Sequence, residues 1–211
     1  MSENTFSVSR WDCEAYVVQV AFLAGTEVLG AGFGDGTVRF LQLGKNDFPR
    51  EYRVHEGAVL AFAADPVRRV FLSGGDDGRL CRIDPAGRVE EVASFPGKWV
   101  EGIAVHGQGG LFAAAAGKNV YLHRADAPSR THELGPHAGT VAAIAFSPDG
   151  AQLASAHYNG ISLWAVPEPS TQPQVIGWKN SHQDGYDGQD RLCSTGAGRR
   201  WWIGIDPGNG G

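Results

Sequence analysis

Methionine occurs once in the 211 residues and cysteine three times. Cys13, Cys81 and Cys193 are an odd, scattered set with no C-x-x-C spacing. That pattern argues against a disulfide framework and fits a reducing, cytoplasmic setting. No window approaches the ~18 uninterrupted apolar residues that a membrane span needs. The first ten residues are polar and lack the apolar core of a secretion signal. Neither sign of charge dominates, with 18 Lys and Arg against 23 Asp and Glu for a net charge of −5. A basic nucleic-acid face is therefore not expected, and no run of like charges forms a binding tail. What the chain does hold is 42 % hydrophobic residues and 30 glycines. That is enough for a core, and it suits short strands joined by tight turns.

The apolar residues recur in register. His55-Glu56-Gly57-Ala58-Val59 leads through Asp65-Pro66 to Val70-Phe71-Leu72-Ser73, then Asp77-Gly78, then Leu80 to Asp84. His137-Ala138-Gly139-Thr140-Val141 leads through Ser147-Pro148-Asp149-Gly150 to Leu153-Ala154-Ser155, then Asn159-Gly160, then Ile161 to Trp164. Eighteen residues separate the His from the Ser in both stretches. Weaker copies run from Tyr16-Val17-Val18 to Leu41 and from Trp99-Val100 to His123. Leu41, Ile83, His123 and Trp164 then end equivalent strands at spacings of 42, 40 and 41 residues.

Local chemistry agrees with an all-β reading. Val70-Phe71-Leu72, Phe112-Ala113-Ala114-Ala115 and Leu153-Ala154-Ser155 are short apolar runs, as expected for strands covered on both faces. Asp35-Gly36, Asp77-Gly78 and Asn159-Gly160 are hairpin signals, because Gly accepts the positive φ of a tight turn. A period of about 40–45 residues marks four-stranded propeller blades. On these residues, from about 8 to 166, the chain resembles the WD40-repeat family. The expectation is an all-β array of about four WD40-type blades, with limits near 8–44, 45–86, 87–126 and 127–166.

The resemblance implies a buried hydrogen-bonded chain in each blade, made of a His, a Ser or Thr, an Asp and a Trp. His55, Ser73 and Asp77 match three of these, with Ile83 in place of the Trp. His137, Ser155 and Trp164 match in the last repeat, where Tyr158 falls in the Asp position. The first copy has Cys13 and Ala31 at the His and Ser positions, and the third has Pro96 and Ala113. A half-made buried polar network is worse than an apolar one, so these copies are expected to rely on packing.

No catalytic or metal-binding set emerges. The spacing of His55 and His137 is that of the blade, and the other histidines lack zinc-type pairing. Phe71-Leu72-Ser73-Gly74-Gly75 lacks the first Gly of a hydrolase nucleophile elbow. The alternate glycines from Gly30 to Gly36 lack phosphate-loop spacing. Neither enzyme activity, nor a cofactor, nor a metal is expected.

The resemblance implies instead a non-catalytic scaffold whose rim takes a protein or peptide partner. Trp99 stands where sister repeats have Ala58 and Thr140, and Trp is frequent in binding hot spots. Phe33, Asp76, His157 and Tyr158 occupy the next turn along that rim. After Val166 the pattern stops, and 167–211 reads as an irregular Gly/Pro-rich tail, disordered or frameshifted, containing Trp201-Trp202-Ile203. Four blades do not close the family's usual ring. An open sheet face of on the order of 500 Å² forfeits roughly 12 kcal/mol, an upper estimate, which matches a whole domain's stability. The expectation is an incomplete or truncated propeller, with edge-to-edge association of copies as the alternative. The competing functional readings are a non-functional remnant and an enzyme with its site in the propeller funnel.

Overall fold

The computed structural model describes residues 10–44, 49–124, 127–166 and 173–177. Within them the chain forms four four-stranded antiparallel sheets, each with its strands in sequence order. The first holds Val17–Phe22 (β1), Val28–Phe33 (β2), Thr37–Gln42 (β3) and Arg50–Arg53 (β4). The second holds Val59–Asp65 (β5), Val70–Gly75 (β6), Arg79–Ile83 (β7) and Val89–Ser94 (β8). Val100–His106 (β9), Leu111–Ala116 (β10), Asn119–Arg124 (β11) and Ala127–Leu134 (β12) make the third. Val141–Phe146 (β13), Gln152–His157 (β14), Gly160–Ala165 (β15) and Gln174–Gly177 (β16) make the fourth. Among the described residues the one helical element is a short 3₁₀ turn at Gly107–Gly109. No helix there is long and apolar enough to cross a membrane.

The sheets stack through their innermost strands: β1 lies against β5, β5 against β9, and β9 against β13. This is the expected all-β array of blades, and it is open. Each junction has its own core. Phe40, Phe62 and Phe71 stack between the first two sheets, with ring centroids 5.0 Å and 5.2 Å apart. Leu72, Leu80, Val100 and Phe112 fill the second junction, and Ala113, Ala115, Leu122, Val141, Leu153 and Trp164 the third.

Pairing register makes the sheets superimposable residue by residue. Phe71 faces Ile83, Phe112 faces His123, and Leu153 faces Trp164 across the middle strands. Leu29 faces Leu41 in the same way. The register corrects one alignment. Ser73 pairs with Phe62 and Cys81, and the residue paired with Ile103 and Tyr121 is Ala114, not Ala113. In a run of four alanines no side chain marks the frame, so only the cross-strand partners fix it.

Gly36 and Gly78 show why the hairpins need glycine. Their φ values are 84° and 79°, and a Cβ would stand 2.1 Å from the Gly57 carbonyl or 2.6 Å from that of Phe95. Sheet and repeat are offset by one strand, since each sheet's outer strand precedes the next sheet in sequence. The fourth sheet accordingly takes its outer strand from Gln174–Gly177, which pairs with Gly160 to Leu163. The rest of the tail read over 167–211, Trp201-Trp202-Ile203 included, lies outside the described residues.

Candidate functional site

One rim of the array is knitted from hairpin turns and the loops that lead into each inner strand. Val54 and His55 donate their backbone N–H groups to Gly36 O at 3.0 Å and 3.1 Å. Asp76 N donates to Ala58 O, Phe95 N to Gly78 O, and Val141 N to Gly117 O, at 3.1, 2.8 and 2.9 Å. The loops leading into the second, third and fourth sheets thus bind the turn of the sheet before, while the Asp76–Ala58 bond ties turn to loop within the second sheet. Loop backbones held this way present side chains at fixed spacing.

Trp99 is 59 % exposed and Tyr158 87 % exposed on this rim. Asp76 and His157 are half-buried in the adjoining turns, with His157 Nε2 3.1 Å from Ser162 Oγ. Phe33 differs. It is buried, and the Arg39 guanidinium lies 4.1 Å from its ring centroid, so it supports the rim from beneath. A further aromatic, missed in the sequence reading, is Tyr16, 67 % exposed. It precedes Val17 as Trp99 precedes Val100, and its carbonyl accepts Gly34 N–H at 3.0 Å. Aligning Val17 with Val100 contained the signal. Comparison of Trp99 with only Ala58 and Thr140 hid it.

Beneath the rim lie two polar networks. His55 Nδ1 is 2.9 Å from Asp77 Oδ1 and its Nε2 is 3.0 Å from Ser73 Oγ. Asp77 also accepts the backbone N–H groups of Arg79 and Glu56, at 3.0 Å and 3.2 Å. In the fourth sheet His137 Nε2 is 2.7 Å from Ser155 Oγ, and Trp164 Nε1 donates to that hydroxyl at 3.2 Å. With no Asp in its turn, His137 Nδ1 pairs with Lys118 O at 2.8 Å. A carbonyl can only accept, so Nδ1 carries the proton and Nε2 accepts from the serine. The third sheet has Pro96 at the position of His55 and builds a different contact there. Tyr121 stacks on Phe95 at 4.2 Å between centroids, and Lys98 Nζ donates to its hydroxyl at 2.9 Å. In the first, Arg39 pairs with Glu51 at 2.8 Å and Asp35 at 3.3 Å.

Burial holds the His55 imidazole below its ordinary pKa, and this outweighs the opposing pull of Asp77. Burial likewise lowers His137, against the Lys118 carbonyl that favours its charged form. Both rings are therefore neutral at pH 7. An unfolded His binds a proton below about pH 6.5 while these folded ones resist it, so the unfolded state takes up more protons and acid destabilises. The urea midpoint should be level between pH 8 and 7 and fall from pH 6.5 to 5.5. A midpoint that stays level to pH 5.5 contradicts the buried, neutral assignment.

The order Ser73–His55–Asp77 is that of a hydrolase triad, but Ser73 is 0 % exposed within the junction of two sheets. No carbonyl substrate reaches its hydroxyl, so the relay serves to tie a loop, a strand and a turn together. Burial also pushes the Cys81 thiol up to about 11, which leaves it unreactive at neutral pH. Among the described residues no three His, Cys, Asp or Glu side chains converge on a metal position.

Comparison with known proteins places the repeats. The family model for the WD domain, G-beta repeat (WD40), matches residues 47–84 and 128–164. Each match takes in one sheet's outer strand and most of the next sheet, the same one-strand offset seen above. Over 155 residues the chain is 26 % identical to pre-mRNA-processing factor 19 homolog 2 of Arabidopsis thaliana. That stretch covers 70 % of this chain and 30 % of the relative, so the chain spans under a third of the relative's length.

Proposed function

The chain belongs to the WD40-repeat family, and from that premise we propose a non-catalytic scaffold that holds a protein or peptide partner on its turn-lined rim. The observation that carries this reading is the set of exposed aromatics, Tyr16, Trp99 and Tyr158, on one rim, where the Tyr16 carbonyl accepts Gly34 N–H and the Trp99 loop is tied to the second sheet by Phe95 N–H and the Gly78 carbonyl. Aromatic side chains bury large areas for little conformational entropy, which suits them as anchors. The scattered cysteines support a cytoplasmic location. The Arabidopsis relative is named for pre-mRNA processing, and that setting is the first in which to seek the partner.

The test is site-specific photocrosslinking from the rim, compared with the opposite edge of the array. A photoreactive phenylalanine at Trp99 should trap a discrete partner that Tyr16→Ala and Tyr158→Ala diminish. The same probe at Val67, 53 % exposed in the loop between β5 and β6, should trap none. Trapping from Val67 and not from position 99 would put the partner on the other edge and end the rim reading.

A further inference from the structure

Every sheet here has two faces. The leading face packs on the sheet before it, and the trailing face seats the sheet after it. The third junction shows the pattern most fully. The trailing face of the third sheet carries Gly102, Ala104, Ala113, Ala115, Val120 and Leu122, with small residues on the two inner strands and aliphatic ones on the next. Into it fit Val141, Ile144, Phe146 and Leu153 from the leading face of the fourth. The fit is close: a Cβ on Gly102 would lie 3.6 Å from the Ile144 side chain.

The two ends of the array repeat these two surfaces. By cross-strand register, Val17, Val20, Phe22 and Leu29 on the first sheet stand where Val141, Ile144, Phe146 and Leu153 stand on the fourth. Yet Val17, Val20 and Phe22 are 51, 56 and 60 % exposed. At the other end, Ala143, Ala145, Ala154, Ala156, Ile161 and Leu163 match the six trailing-face residues of the third sheet in order. Each is exposed or half-buried, whereas Ala113, Ala115, Val120 and Leu122 are buried. The open ends are therefore a knob surface and a seat of the kind that already mate inside the chain. Arg39 also lies on the leading face, but Asp35 and Glu51 pair with it, so it brings no lone charge to a contact.

We propose that two copies of this chain associate head to tail, the fourth sheet of each seating the first sheet of the other. Two identical heterologous contacts then close a ring of eight sheets. That is the upper end of the roughly four to eight blades propellers use, and closure separates a ring from an open filament. The contact extends an interface geometry the chain already uses three times, and it covers apolar area that single proteins rarely leave exposed.

Sedimentation equilibrium of the full chain over a wide concentration range tests this. The expected result is twice the single-chain mass. Phe22→Glu and, separately, Ala145→Glu should each return the single-chain mass, because each places an unpaired carboxylate in both contacts of the pair. Both positions are exposed in the single chain, so unchanged circular dichroism and thermal midpoint should accompany the loss. A single-chain mass for the unaltered protein at all concentrations overturns the proposal, as does an open series of larger species. If Phe22→Glu dissociates the pair and Ala145→Glu does not, like faces meet and the head-to-tail arrangement is wrong. None of these outcomes touches the rim assignment, which rests on different residues.

Discussion

Phe71→Ala is expected to lower the unfolding free energy by about 3–5 kcal/mol, the usual cost of deleting a large buried aromatic. Phe71 is 0 % exposed and lies between the rings of Phe40 and Phe62, so it joins the first sheet to the second. Its fit depends on a missing side chain. A Cβ on Gly30 would lie 2.7 Å from the Phe71 ring, so the first sheet has been kept flat at that point to receive it. The ring sits between two hydrogen-bonded sheets, which limits collapse of the cavity and places the expected cost toward the upper part of the range. Urea unfolding measures it, with a lower midpoint and an unchanged slope expected. Tyr158→Ala on the rim should change the unfolding free energy by no more than about 0.5 kcal/mol. Equal effects from the two variants would mean that stability does not reside in the junctions.

The junctions are legible in the sequence because a stacked sheet constrains both its faces. Val70-Phe71-Leu72 has no polar residue to turn toward solvent, and Asp77-Gly78 tells where the hairpin reverses. The eighteen-residue interval from His to Ser reflects a loop, a strand and a turn of fixed length, which is why it recurs. Other features depend on neighbours far away in sequence. Phe33 lies under Arg39, whose guanidinium is placed by Glu51 on the next strand as well as by nearby Asp35. The third sheet's replacement of a His-based network by Phe95, Tyr121 and Lys98 draws on two separate segments, the loop before β9 and strand β11. The alanine run from 113 to 116 fixes a strand but not its frame, because alternation needs two kinds of residue to be read. The outer strand Gln174–Gly177 is four residues long, and the pairing with β15 reveals it more than its own sequence does.

The third sheet also predicts how the second will respond to surgery on its network. His55→Ala removes the acceptor for Ser73 Oγ and opens a void where the ring stood. Asp77 keeps the N–H groups of Arg79 and Glu56, so its carboxylate stays satisfied. Ser73, at 0 % exposure, cannot turn to water. A buried hydroxyl left unpaired costs about 1–3 kcal/mol, and the void adds to it, so a total loss of about 3 kcal/mol is expected. Ser73→Ala in the otherwise unaltered chain should also destabilise, because it leaves His55 Nε2 without its donor. The two changes together should not add. The third sheet already carries Ala114 and Pro96 at these positions and packs without either polar group. Once His55 is gone, Ser73→Ala removes the orphaned hydroxyl and should restore about 1 kcal/mol instead of costing more. A double-mutant cycle read by urea unfolding measures that reversal of sign. Additive losses would mean that Ser73 and His55 act independently, and that the 3.0 Å contact between them contributes nothing to holding the blade.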